Sequence, residues 1–107
     1  MFFFPFIVKP NITTFKSDPV IAIFNQSVKI TCKAKGLPAP TYFIYHNGTK
    51  KLTGVVNGEK IIELVKQSDA GEYRCKASNI LGNDIWNFNL TVHGKICSDL
   101  YLLIYSV

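Results

Sequence analysis

The sequence predicts an all-β fold, a sandwich or a barrel, from three observations. Turn signals punctuate the chain: SDP at 17, GLPAP at 36, NG at 47 and again at 57, SDAG at 68 and LGND at 81. Between them lie short runs in which apolar and polar residues alternate with period two, the mark of half-buried antiparallel strands. No segment sustains an apolar 3.6-residue period for three turns, so helix is confined to a single turn near Gln67.

The alternation gives each strand a face. In VKITCKA, Val28, Ile30, Cys32 and Ala34 point one way and Lys29, Thr31 and Lys33 the other, as a strand with one buried face requires. In EYRCKAS, Tyr73, Cys75 and Ala77 face inward, with Glu72, Arg74 and Lys76 toward water. In IWNFNLTV, Trp86, Phe88, Leu90 and Val92 share the inner side, opposite Asn87, Asn89 and Thr91. Cys32 and Cys75 are therefore both core-facing, 43 positions apart. That placement points to a bridge joining two sheets across a shared core, and with it to an oxidising compartment.

The totals agree with one small folded domain. A chain of 107 residues buries only about two thirds of the surface its unfolded form exposes. Hydrophobic residues make up 48% and charged residues 18%, which excludes a disordered tail. The formal charge of +5 fits attraction to sulfated glycans, nucleic acid or a membrane surface, without choosing among them. Eleven of the twelve cations are lysines scattered along the chain, as on an ordinary solvated surface. The third cysteine, Cys97, is left as an unpaired thiol. His46 and His93 lie in polar stretches without a nearby carboxylate or cysteine, so they are expected on the surface and no metal site is expected.

SDAGEYRCKASN, residues 68 to 79, reads as a corner leading into a strand. Gly71 permits the sharp turn, and Asp69 caps it or pairs with a cation. Tyr73 starts the strand facing inward, two residues before the cysteine, with its hydroxyl able to reach back to the upstream main chain. With VKITC at 28–32, GLPAP at 36–40, Val65, ASNILG at 77–82 and LTV at 90–92, this stretch resembles the immunoglobulin superfamily. The likeness is to I-set or C2-like domains of adhesion molecules, receptors and matrix proteins, over roughly residues 8 to 93. It implies a sandwich of two antiparallel sheets with seven or eight strands, a Cys32–Cys75 inter-sheet disulfide, and a tyrosine corner formed by Asp69, Gly71 and Tyr73.

The chain departs from that family twice. The family usually sets a tryptophan on the third strand against the disulfide, where PTYFIYHNG places Ile44. The lost volume costs on the order of a few kcal/mol unless neighbours fill it, and Phe88 or Trp86 is expected to do so. Lys60 stands where a core leucine is usual, two residues before Ile62; either the strand starts later or the lysine snorkels.

The functional expectation is a non-enzymatic extracellular module, secreted or on the cell surface, for adhesion or protein recognition within a multi-domain protein. Its partner would be a protein, homophilic or heterophilic, with a sulfated glycan as a side hypothesis and no nucleic acid. The alternatives are a structural spacer of titin type, or a ligand-binding segment of a receptor kinase or phosphatase. Four N-x-[ST] triplets, at Asn11, Asn25, Asn47 and Asn89, exceed the roughly one expected by chance and mark glycosylation candidates. Outward residues Phe43 and Tyr45 would share one sheet face with Arg74 and Lys76, a mixture that contact surfaces favour. No phosphate loop, nucleophile with a histidine partner, or converging carboxylate pair is present, so neither catalysis nor a cofactor is expected. Residues 1–7 are apolar without a basic lead or a small-residue cleavage pattern, and are read as a truncated signal or leader. Residues 94–107 are read as a foreign or truncated tail; LYLLIYSV falls far short of the ~20 apolar residues that span a bilayer, so membrane attachment would need a missing anchor.

Overall fold

The computed structural model describes residues 7–94. The apolar segment that precedes them, and the tail that carries Cys97, lie outside the described residues. Among the described residues eight strands form: β1 (Val8–Asp18), β2 (Ile21–Ile23), β3 (Val28–Leu37), β4 (Thr41–His46), β5 (Lys50–Lys51), β6 (Glu59–Ile62), β7 (Gly71–Asn79) and β8 (Gly82–His93). A single 3-10 turn, Gln67–Asp69, precedes β7. The strands build two sheets, one ordered β1-β3-β6 and the other β2-β8-β7-β4-β5.

One pairing departs from the expectation of purely antiparallel sheets: β2 runs parallel to β8, with Ala22 opposite Val92. The chain leaves the first sheet at Pro19, which has no N–H to donate to β3. It resumes in the other sheet without reversing direction, so β2 meets β8 from the same end.

The core is built by the predicted alternation. Val28, Ile30 and Cys32 of β3 face Ile44 of β4 and Tyr73, Cys75 and Ala77 of β7, all essentially without solvent exposure. Ile12 and Phe15 of β1, Ala22 of β2, and Leu90 and Val92 of β8 complete it. Cys32 and Cys75 are joined in a disulfide between the two sheets, with Cα atoms 6.4 Å apart.

Ile44 is fully buried opposite Cys75, and aromatic volume near the bridge comes from other strands. Phe15, the cross-strand neighbour of Cys32, meets Phe88 edge-on at 4.6 Å between ring centroids. Phe88 in turn stacks on Tyr73 at 5.6 Å. Trp86 does not join them. It pairs with Cys75, which puts it on the inner side as predicted, yet it is 42% exposed. The reason lies in sheet order: β2 covers β8 only at Thr91–His93, so at Trp86 the strand is an open edge.

Lys60 is opposite the buried Ile30, and Ile62 is opposite Val28. Both therefore point to the core side of β6. Lys60 is half-buried, and its amine lies beside the exposed Gly54, which fits the snorkelling alternative.

Candidate functional site

The corner before β7 is held by two local side-chain bonds and a glycine. The Asp69 carboxylate accepts the Lys66 backbone N–H at 2.8 Å, closing the 3-10 turn as a cap, and forms no ion pair among the described residues. The Tyr73 hydroxyl donates to the Asp69 carbonyl at 2.5 Å. Gly71 sits at φ +122, and a β-carbon there would press on the Asn47 side chain; this is one position where glycine's freedom is required.

Burial pushes the Tyr73 phenol above its ordinary value, and the nearby Asp69 carboxylate adds to the rise. The folded state thus holds this proton more tightly than the unfolded chain. The associated stability is complete below the unfolded value near pH ~10 and is lost as pH rises beyond it. Tyr73→Phe is expected to cost about 1–2 kcal/mol at neutral pH, because the part-buried Asp69 carbonyl loses its donor. The variant should also show a shallower decline in melting temperature above pH ~10 than the parent; parallel declines would separate Tyr73 from the alkaline transition.

His46 corrects the surface expectation. It is only 6% exposed, stacked on Tyr73 at 4.4 Å between ring centroids, with Nε2 donating to the Ala70 carbonyl at 2.8 Å. The polar neighbours in HNG suggest a surface setting, yet strand period two from Ile44 aims His46 inward, and the corner supplies its acceptor. His93 is exposed as expected.

Two further side chains anchor the strands to one another. The Tyr42 hydroxyl accepts the Ala34 N–H at 3.0 Å, tying β4 to β3. The Asn79 amide donates to the Val8 carbonyl at 2.9 Å and the Pro38 carbonyl at 3.1 Å, while its oxygen accepts the Leu81 N–H. Asn79 lies within ASNILG, which located the residue without revealing its partners.

With β4, β7 and β8 so fixed, their outward side chains form rows across the sheet. Phe43 is opposite Lys76, which is opposite Ile85; Tyr45 is opposite Arg74, which is opposite Asn87. Ile85 is 49% exposed, and Phe43, Tyr45, Arg74 and Lys76 are each partly exposed. Lys51 of β5 sets its amine 5.1 Å from the centre of the Phe43 ring, within cation–π range. A shallow hollow of about 180 Å³ opens between Tyr45, Gly48, Arg74, Lys76 and Ile85. Arg74 and Lys76 take part in no ion pair among the described residues, whose ion pairs join Lys29 and Lys33 to Glu59 on the other sheet.

All four triplet asparagines are exposed. Asn11 lies on β1 and Asn25 in the turn after β2, on other parts of the domain. Asn89 is opposite Glu72 on β8, and the Asn47 N–H donates to the Glu72 carbonyl. These two therefore flank one end of the face, leaving the Phe43–Lys76–Ile85 row bare. No group of three or more histidine, cysteine or carboxylate side chains is placed to hold a metal among the described residues. No helix among them is long and apolar enough to cross a membrane.

Two packed sheets, one inter-sheet disulfide and the tyrosine bond back to the corner accompany a match of residues 9–79 to the immunoglobulin domain family model. The chain belongs to the immunoglobulin domain family. This immunoglobulin domain is 38% identical over 92 residues to human Hemicentin-1, a match covering 78% of the chain and 2% of that protein. It is 32% identical over 102 residues to human leucine-rich repeat and immunoglobulin-like domain-containing nogo receptor-interacting protein 2, covering 88% of the chain and 17% of that protein. To Cell adhesion molecule 3 of Xenopus laevis it is 30% identical over 81 residues, covering 73% of the chain and 21% of that protein. The chain thus spans about a fifth or less of these relatives. In fold it is similar to Sidekick-1 immunoglobulin domains 1–4, with a TM-score of 0.71 at 24% identity over 82% of the chain and 25% of that structure. Titin M4 gives a TM-score of 0.70 at 22% identity, over 81% of the chain and 98% of that structure.

Proposed function

We propose that this immunoglobulin domain is an extracellular, non-enzymatic module for protein recognition or adhesion within a larger protein, working through the outer face of β4, β7 and β8. The observation that carries the reading is the composition of that face. Phe43, Tyr45 and Ile85 sit beside Arg74 and Lys76, cations without a carboxylate partner among the described residues. Partly exposed aromatics next to arginine are the residues that contribute most to protein contacts. The compartment is supported by the disulfide, by four exposed N-x-[ST] asparagines, and by kinship with proteins whose names include a cell adhesion molecule.

Two measurements on the protein from the cells that make it test the reading. Mass mapping should find Cys32 and Cys75 bonded and an endoglycosidase-sensitive glycan on at least one of Asn47 and Asn89. Two free thiols with no glycan would replace the reading by the intracellular spacer. A photo-crosslinking residue at Phe43 should capture a protein at the cell surface that the same residue at Lys29, on the opposite sheet, does not. Equal capture from both positions would remove the face from the account.

A further inference from the structure

A second surface meets the Phe43–Tyr45 face only at Lys51. β5 is one edge of the five-stranded sheet and β6 one edge of the three-stranded sheet. Between them opens a cleft of about 610 Å³ lined by Lys50, Lys51, Lys60 and Lys66, with Glu63 and Asp69 as its carboxylates. The Asp69 carboxylate is already engaged by the Lys66 N–H. None of the four lysines belongs to an ion pair among the described residues.

Lys60 is the residue that makes the cleft unusual. Its strand partner Ile30 is fully buried, so β6 aims the side chain at ground that an apolar residue would fill at lower cost. Lys60 nevertheless lines the cleft, and its amine lies beside Gly54, the chain neighbour of the lining residue Thr53. There the ammonium stays open to an anion arriving from water while its stem is half-buried. Lys50 and Lys66 then extend the positive potential along the same opening.

The lining also narrows the ligand class. The cations are lysines, compact point charges that hold the oxygens of an oxyanion without the planar fork of arginine. The aromatic side chains here, His46 and Tyr73, are buried and stacked on each other, which leaves no exposed ring on which a nucleic-acid base could stack. The cleft is open rather than enclosed, so a chain can lie along it. We propose that it binds a sulfated oligosaccharide, with sulfates held at Lys60 and at the flanking Lys50 and Lys66. The glycan source rests on the extracellular reading above; the site itself does not.

The test is titration of the full chain with a heparin-derived hexasaccharide at physiological ionic strength. Saturable one-to-one binding is expected, weakened at least about tenfold by Lys60→Leu. That substitution restores an apolar residue at a core-facing position, so its melting temperature should equal or exceed the parent's, which separates lost binding from lost folding. Lys50→Ala with Lys66→Ala should also weaken binding, whereas Lys29→Ala with Lys33→Ala, the same change in net charge on β3 outside the cleft lining, should leave it within about twofold. The proposal is overturned by no binding to the parent, or by equal losses from the two double variants. It is equally overturned if inorganic sulfate or a single-stranded oligonucleotide binds as tightly as the hexasaccharide. None of these failures touches the Phe43 crosslinking result, and free thiols with bare asparagines would remove the extracellular reading without changing the measured cleft affinity.

Discussion

Replacing both Cys32 and Cys75 with alanine is expected to destabilise the domain by about 4 kcal/mol. The bridge closes a loop of 43 positions, and in the chain-entropy model a loop of that length removes about 4 kcal/mol worth of freedom from the unfolded chain. Both sulfurs are fully buried in the core, so truncation also leaves unfilled volume. Against a total stability of about 5–15 kcal/mol, this decides whether the domain stays folded on warming. With a urea m-value of about 1 kcal/mol/M for a domain of this size, the unfolding midpoint should fall by about 4 M, or the cooperative transition should vanish. A midpoint within about 1 M of the parent would show that packing of the two sheets, and not the covalent link, supplies most of the stability.

Gly58→Ala is expected to be nearly as damaging, for a reason confined to one backbone contact. Asn57 and Gly58, both at positive φ, form the two-residue turn of a small hairpin in which Val56 and Glu59 exchange backbone hydrogen bonds, the geometry that NG favours. Gly58 is buried, and its carbonyl accepts the Cys32 N–H at 2.8 Å. A β-carbon at Gly58 would overlap the Cys32 carbonyl oxygen and press on the Tyr42 ring. Alanine therefore pays about 1 kcal/mol for the left-handed backbone and must also displace the strand that carries the bridge, for a total of about 3 kcal/mol or more. Gly48→Ala isolates the first part. Gly48 also has positive φ, with nothing within 4 Å of its would-be β-carbon, so it should cost only about 1 kcal/mol. Equal melting temperatures for the two variants would show that the β3 backbone gives way easily.

The parts of the fold legible in advance share a physical origin. The inward sets of β3 and β7, the turns at 47 and 57, and the corner at 68–71 depend on chain geometry over a few residues. Period-two projection, glycine at positive φ and a short polar side chain capping a turn act locally. The outward face of β4 and β7 was legible in the same way, because Phe43, Tyr45, Arg74 and Lys76 follow from alternation once the strands are placed in order. Ile85 and Lys51 were missed there: Ile85 precedes the register begun at Trp86, and β5 is two residues long, too short for any period to appear.

The residues that surprised are those whose setting depends on a neighbour distant in sequence. Asn79 joins Val8, 71 positions away, and Pro38, 41 away; nothing in the motif names either partner. Trp86 faces the core side but stays half-exposed because β2 ends short of it. His46 is buried because a carbonyl 24 residues later accepts its proton.

Taken alone, the sequence determined which side of each strand is apolar, where the chain turns, and that Cys32 and Cys75 face the same interior, since each follows from local stereochemistry. The tertiary structure decided that β2 runs parallel to β8, that His46 is covered while Trp86 is not, and that Lys60 opens onto a lysine-lined cleft. These depend on which strand lies at a sheet edge and what packs across from it, relations that exist only after distant segments have met.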